Sequence, residues 1–149
     1  FFKSNAMDVK SKARIVLGGM TLRELSAMLA MLGGTTRIVY ANEGTVEQFE
    51  NDVAIALEDK NTFIIVNYLR STLNQSGFGH ISPIGAYNAG RNQVLVVDVA
   101  AHKYPYTWID IHKLFAAMNT ADGDLSRGYL VVTFGEKHAR SLPASPEGV

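Results

Sequence analysis

At Asn61 the apolar pattern of this 149-residue chain changes period, and that switch limits the folds open to it more than any single motif does. Upstream, Leu22, Leu25, Met28, Leu29 and Leu32 recur at the spacing of one helix face. Thr21-Leu22-Arg23-Glu24 has the form of a capping box, in which the threonine hydroxyl takes a first-turn N–H and the glutamate reaches back; Gly33-Gly34 close the segment. A short strand is expected over residues 37–41. Thr45-Val46-Glu47-Gln48 repeats the capping signal, and Val46, Phe49, Val53 and Leu57 continue as a second helix face. Residues 10–17 read as a further short helix, closed by Gly18-Gly19.

Downstream of Asn61 the signal is that of strands. Phe63, Ile64, Ile65, Val66 and Tyr68 form a β-rich run that reads as buried on both faces. A polar, glycine-containing loop covers residues 71–79. Two further β-rich runs, 80–87 and 94–99, are joined by Asn88-Ala89-Gly90-Arg91-Asn92 and read as a hairpin. Residues 109–118 read as a helix and 128–134 as a last strand. Helices followed by a mostly antiparallel sheet make the chain α+β. Residues 1–134 form one unit, and 135–149, rich in Gly, Pro, Ser and charge, a loose tail.

Composition removes several function classes. Lys plus Arg equals Asp plus Glu at 14 each, and no long basic run occurs, which argues against an electrostatic nucleic-acid surface or a polybasic membrane contact. No apolar run approaches the roughly 20 residues of a membrane span. The chain has no cysteine, so it holds no disulfide, no thiolate zinc site and no cysteine nucleophile of its own. His80, His102, His112 and His138 form no metal-ligand spacing. Phe1-Phe2-Lys3 is neither an initiator nor a signal peptide, so the natural N-terminus is expected elsewhere and the compartment stays open.

His80 and Asp98 are the pair with chemistry. In a hairpin symmetric about Ala89, opposed residues have numbers summing to 178, which makes these two direct cross-strand partners on one face. A slip of one residue would put them on opposite faces. A carboxylate that fixes an imidazole is two thirds of a nucleophile-activating triad. The plainer reading is a histidine at a strand start and an aspartate facing solvent at a strand end. Tyr104, Tyr106 and Trp108 could line a substrate groove, but an aromatic cluster after a strand is more often core or edge packing.

Longer motifs carry a resemblance. Gly79-His80-Ile81-Ser82-Pro83-Ile84-Gly85-Ala86-Tyr87-Asn88 resembles the His segment of phytochelatin synthases. Val97-Asp98-Val99-Ala100 with Lys103-Tyr104-Pro105 and Trp108 resembles their Asp segment. Ala117-Met118-Asn119-Thr120-Ala121-Asp122, Ser126-Arg127-Gly128-Tyr129, Gly19-Met20-Thr21-Leu22 and Ile65-Val66-Asn67-Tyr68-Leu69-Arg70 extend the likeness over roughly residues 15–134.

The resemblance implies a papain-like fold with a Cys-His-Asp triad, in which His80 and Asp98 are catalytic. It implies acyl transfer on glutathione: a thiolate attacks the Cys–Gly amide, glycine leaves, and a γ-glutamylcysteinyl thioester passes to a second glutathione, a growing phytochelatin or water. Arg127 and Asp122 match positions that hold the γ-glutamyl end, with Asp124 a rival for the acidic role, and Arg70 matches a family arginine near the site. No cofactor is implied; heavy-metal ions are expected as thiolate complexes of the substrate. The nucleophilic Cys is expected upstream of Phe1, on a lobe of the same or a second chain, which makes these residues the C-terminal half of the catalytic domain, residues 8–33 belonging to the link into this lobe. Isolated, such a half exposes a broad apolar surface and is expected to be poorly soluble or to dimerise. The alternative reading is a catalytically dead module that binds glutathione or a partner chain.

Overall fold

A computed structural model describes residues 19–100 and 104–135. Helix α1 (Leu22–Met31) leads into strand β1 (Gly34–Tyr40), and helix α2 (Val46–Glu58) into β2 (Thr62–Leu69). A 3₁₀ turn (Arg70–Leu73) and a loop precede β3 (Gly79–Asn88), which returns as β4 (Gln93–Val96). Then come β5 (Thr107–Asp110), α3 (Ile111–Met118), the two-residue strands β6 (Ala121–Asp122) and β7 (Leu125–Ser126), and β8 (Gly128–Phe134). Six strands form one antiparallel sheet in the order β1-β8-β2-β3-β4-β5, with β6 and β7 as a separate small hairpin. The chain is α+β, as its pattern indicates. The helix expected at residues 10–17 and the tail from 136 onward lie outside the described residues.

Local chemistry explains the helices. Thr21 and Glu24 form the full capping box, and the Thr45 hydroxyl accepts from the Gln48 N–H at 3.2 Å. Asp110 caps α3 by accepting from the backbone of His112 and Lys113, both at 3.0 Å. α2 buries Phe49, Val53 and Ala56, whereas Leu57, expected on that face, is exposed. α3 buries Leu114, Ala117 and Met118. Together these cover Ile64, Val66, Tyr68, Ile84, Val94, Val96 and Tyr129 on one sheet face. Each large side chain so buried contributes about 1.5–3 kcal/mol. α1 packs on β1 and β8, where buried Leu22 and Met28 accompany Leu130 and Val132. Alternation puts the latter pair on the face opposite Tyr129.

Strand boundaries and burial depart from expectation: β1 begins at Gly34, ahead of the expected residue 37, and the helix expected over 109–118 begins at Ile111. β2 is not buried on both faces, because Phe63 is 46% exposed. β4 stops at Val96, so Asp98 lies beyond the ladder. β5 was not expected; it adds an edge strand to β4, from Gln93↔Asp110 to Val96↔Thr107.

The hairpin register also differs. Tyr87↔Val94 and Asn88↔Gln93 pair with numbers summing to 181, and Ile84↔Val96 with 180, because a bulge intervenes at Gly85. The Val97 N–H donates to the Pro83 carbonyl at 2.9 Å, continuing the second register. An odd sum would place His80 and Asp98 on opposite faces. The bulge restores an even sum, sets Asp98 across from Ser82 and makes it a diagonal neighbour of His80 on the same face. Gly85 permits this: a Cβ there would stand 2.6 Å from Val97 Cγ2.

Candidate active site

Asp98 is 4% exposed and holds four hydrogen bonds. Arg70 Nη2 donates to both carboxylate oxygens, at 3.0 and 2.7 Å, the Ala100 N–H donates at 2.8 Å, and His80 Nε2 stands 2.9 Å from Oδ1. Burial alone would push the Asp98 carboxyl up. The Ala100 N–H, the Arg70 hydrogen bond and the charges of His80 and Arg70 outweigh it and hold the group below its ordinary value. An ionised carboxylate only accepts, so His80 carries its proton on Nε2, which leaves Nδ1 as the acceptor. His80 is held below its ordinary 6.5, first by burial and then by the Arg70 cation, against the opposing pull of Asp98. The imidazole is therefore neutral near pH 7 and able to take a proton.

A second ring of side chains fixes this pair. Tyr68, fully buried beneath, meets the His80 ring edge-on at 5.8 Å between centroids. Arg70 Nη1 donates to Gln75 Oε1 at 2.8 Å, and the Tyr104 ring lies 4.4 Å from the guanidinium carbon. The Tyr104 hydroxyl donates to the Ser76 carbonyl and accepts from its N–H, at 3.0 and 2.8 Å, which ties loop 74–78 over the arginine. Tyr104 thus packs a cation, while Tyr106 and Trp108 stay exposed.

Arg127 and Asp122 meet in a second cluster at the same end of the sheet. The β6–β7 hairpin brings Asp122 Oδ1 to 3.5 Å from Arg127 Nη2, and Asn67 Nδ2 donates to Asp122 Oδ2 at 3.0 Å. Arg127 Nη1 donates to Thr120 Oγ1 at 3.1 Å and to the Ala121 carbonyl. Asp124 sits exposed on the turn. An open pocket of about 290 Å³ adjoins this hairpin, lined by Asn42, Asn119, Thr120 and Ser126 among others. A carboxylate beside a guanidinium is complementary to an amino-acid zwitterion. His112 lies exposed on α3, and His102 and His138 fall outside the described residues. Among the described residues no cluster of His, Asp or Glu could hold a metal ion, and no helix is long and apolar enough to cross a membrane.

The model of the phytochelatin synthase family matches residues 1–129. This chain belongs to that family. Glutathione gamma-glutamylcysteinyltransferase 3 of Lotus japonicus is 37% identical over 122 residues, covering 80% of this chain and 26% of its own length. The Schizosaccharomyces pombe glutathione gamma-glutamylcysteinyltransferase is 30% identical over 125 residues, 83% of this chain and 30% of its own. Arabidopsis thaliana glutathione gamma-glutamylcysteinyltransferase 2 is 32% identical over 117 residues, 77% and 26%. This phytochelatin synthase-family chain therefore spans about a quarter of the length of the curated relatives it matches.

His80 with Asp98 and Arg70, and Arg127 with Asp122, the residues expected at a site, lie in two clusters whose supporting side chains the sequence does not announce. Gln75 lies outside every motif, Asn67 and Thr120 lie in the resembling segments with no role of their own, and Arg70 has no partner evident from the sequence. The one available signal was an arginine closing an apolar strand, which needs an anion once buried.

Proposed function

We propose that this chain supplies the base and its orienting carboxylate to a glutathione γ-glutamylcysteinyltransferase site on a papain-like fold, with the thiol nucleophile coming from outside these 149 residues. The observation that carries the reading is the contact of His80 Nε2 with buried, ionised Asp98 at 2.9 Å. Asp98 fixes the tautomer and ring, and Nδ1 takes the thiol proton. The thiolate adds to the Cys–Gly carbonyl of glutathione. As the C–N bond breaks, the imidazolium returns the proton to the leaving glycine amine. The γ-glutamylcysteinyl thioester then passes to the amine of a second glutathione or a growing phytochelatin, deprotonated by the same imidazole; water in its place gives hydrolysis.

Arg127 and Asp122 hold the γ-glutamyl end in this reading, the guanidinium on the α-carboxylate and the carboxylate on the α-ammonium. Heavy-metal ions enter as thiolate complexes of the substrate, not as a resident centre. The test is glutathione turnover by the full polypeptide that carries this chain, with chromatography of the products. His80→Ala should reduce the rate by about 10²–10⁴-fold, the usual contribution of a positioned base. Unchanged turnover in that variant overturns the proposal. No turnover, with glutathione still bound through Arg127, points instead to a binding module.

A further inference from the structure

The Arg127 guanidinium is nearly buried, yet its Nε has no hydrogen-bond partner among the described residues. Its hydrogen bonds to neighbours come from Nη1, which donates to Thr120 Oγ1 and the Ala121 carbonyl, while Nη2 points to Asp122 at 3.5 Å. The opposite edge of the group lies against Gly79. A Cβ at position 79 would stand 2.8 Å from Nη2, 3.0 Å from Nε and 3.3 Å from the central carbon, closer than a side-chain carbon tolerates. So that edge is held by shape, not by hydrogen bonds, and the shape depends on a residue without a side chain. Gly79 is also the residue next to His80, and both pair with β2, as Leu69↔Gly79 and Tyr68↔His80.

We infer that Gly79 is a positioning residue for substrate: its bare backbone forms the slot that seats the Arg127 guanidinium beside Asp122, at a fixed place relative to His80. This rests on the reading that Arg127 and Asp122 take the γ-glutamyl end. The backbone at Gly79 is not in the left-handed region, and the atoms a Cβ would meet are the far end of a flexible side chain. Gly79→Ala should therefore fold, with the guanidinium pushed out of place.

The experiment is glutathione affinity by calorimetry on the full polypeptide in a His80→Ala background, where turnover is slowed by about 10²–10⁴-fold. Gly79→Ala is expected to weaken binding by about tenfold while melting with its parent. Arg127→Ala should weaken it at least as much, and the double variant no further, since the glycine acts only through the arginine. Losses that multiply, or Gly79→Ala binding like the parent while Arg127→Ala does not, overturn the slot alone. A parent that does not bind glutathione, or an Arg127→Ala variant of unchanged affinity, overturns the anchor reading and the slot with it. Should Gly79→Ala fail to fold, Arg127→Ala, which empties the slot, must restore folding; if it does not, the slot is not what Gly79 serves.

Discussion

Arg70 grips both carboxylate oxygens of Asp98 through one nitrogen, at 3.0 and 2.7 Å, and both side chains are almost wholly buried. Removing one member of such a pair leaves a buried charge uncompensated, which costs about 3–5 kcal/mol. Arg70→Met should lower the unfolding free energy by that amount in a urea titration. A loss no larger than the roughly 0.5 kcal/mol of a surface substitution would mean that Ala100 and His80 suffice to hold Asp98.

The same cation, after burial, makes the fold sensitive to acid. His80 is held below 6.5 by burial and by Arg70, so as pH falls through the interval beneath 6.5 the unfolded chain binds the proton first. Stability present above that value is lost on the way down. Asp98, held below its ordinary 3.8, adds a further loss at lower pH as its folded value is reached. Unfolding free energies at pH 7 and pH 5 should differ in favour of pH 7. NMR titration of the imidazole should give a midpoint below 6.5 that rises in Arg70→Met.

Gly85 is the residue that the His80–Asp98 contact depends on at a distance. Gly85→Ala drives a Cβ to 2.6 Å from Val97 Cγ2, and an overpacked site of this kind costs about 1–3 kcal/mol. Val97→Ala in the same chain should recover part of the loss, as a double-mutant cycle would show. The His80 imidazole signal should shift in the single variant and return in the double one.

Two tyrosines should resist alkali. Tyr68 is pushed up to about 12 by burial, and Tyr129 is raised further by burial and by its hydrogen bond to Asp52, donated at 2.6 Å. Both should ionise only as the protein unfolds in a spectrophotometric titration. Tyr129→Phe should remove one such step and cost about 1.5–3 kcal/mol, the worth of a hydrogen bond to a charged group.

What the sequence made readable was local. Thr21 with Glu24, Thr45 with Gln48 and the run at residues 128–134 announce their elements within a few neighbours. The register between β3 and β4 was not readable, because the bulge answers to the contact between Gly85 and Val97, which turn residues do not encode. β5 was missed because Thr107–Asp110 is four residues long and gains its structure by pairing with β4. His80 and Asp98 stand out in the sequence through motif, and they share a face only because the bulge at Gly85 restores the parity that the symmetric hairpin assumes. Arg70, whose charge tunes both, has its partner 28 positions away, and no local pattern announces that contact.

β8 lies between β1 and β2, although it is the last strand of the described chain. β1 therefore finds no strand partner among the described residues that precede β8: Val39 waits for Tyr129, and Tyr40 for Gly128. During synthesis, β1 and its helix leave the ribosome long before β8 can pair with them. The founding contacts are of long sequence separation, which slows folding and leaves an open strand edge for that interval. A chaperone or a neighbouring segment that shields β1 would raise the yield of native protein without touching any residue of the site.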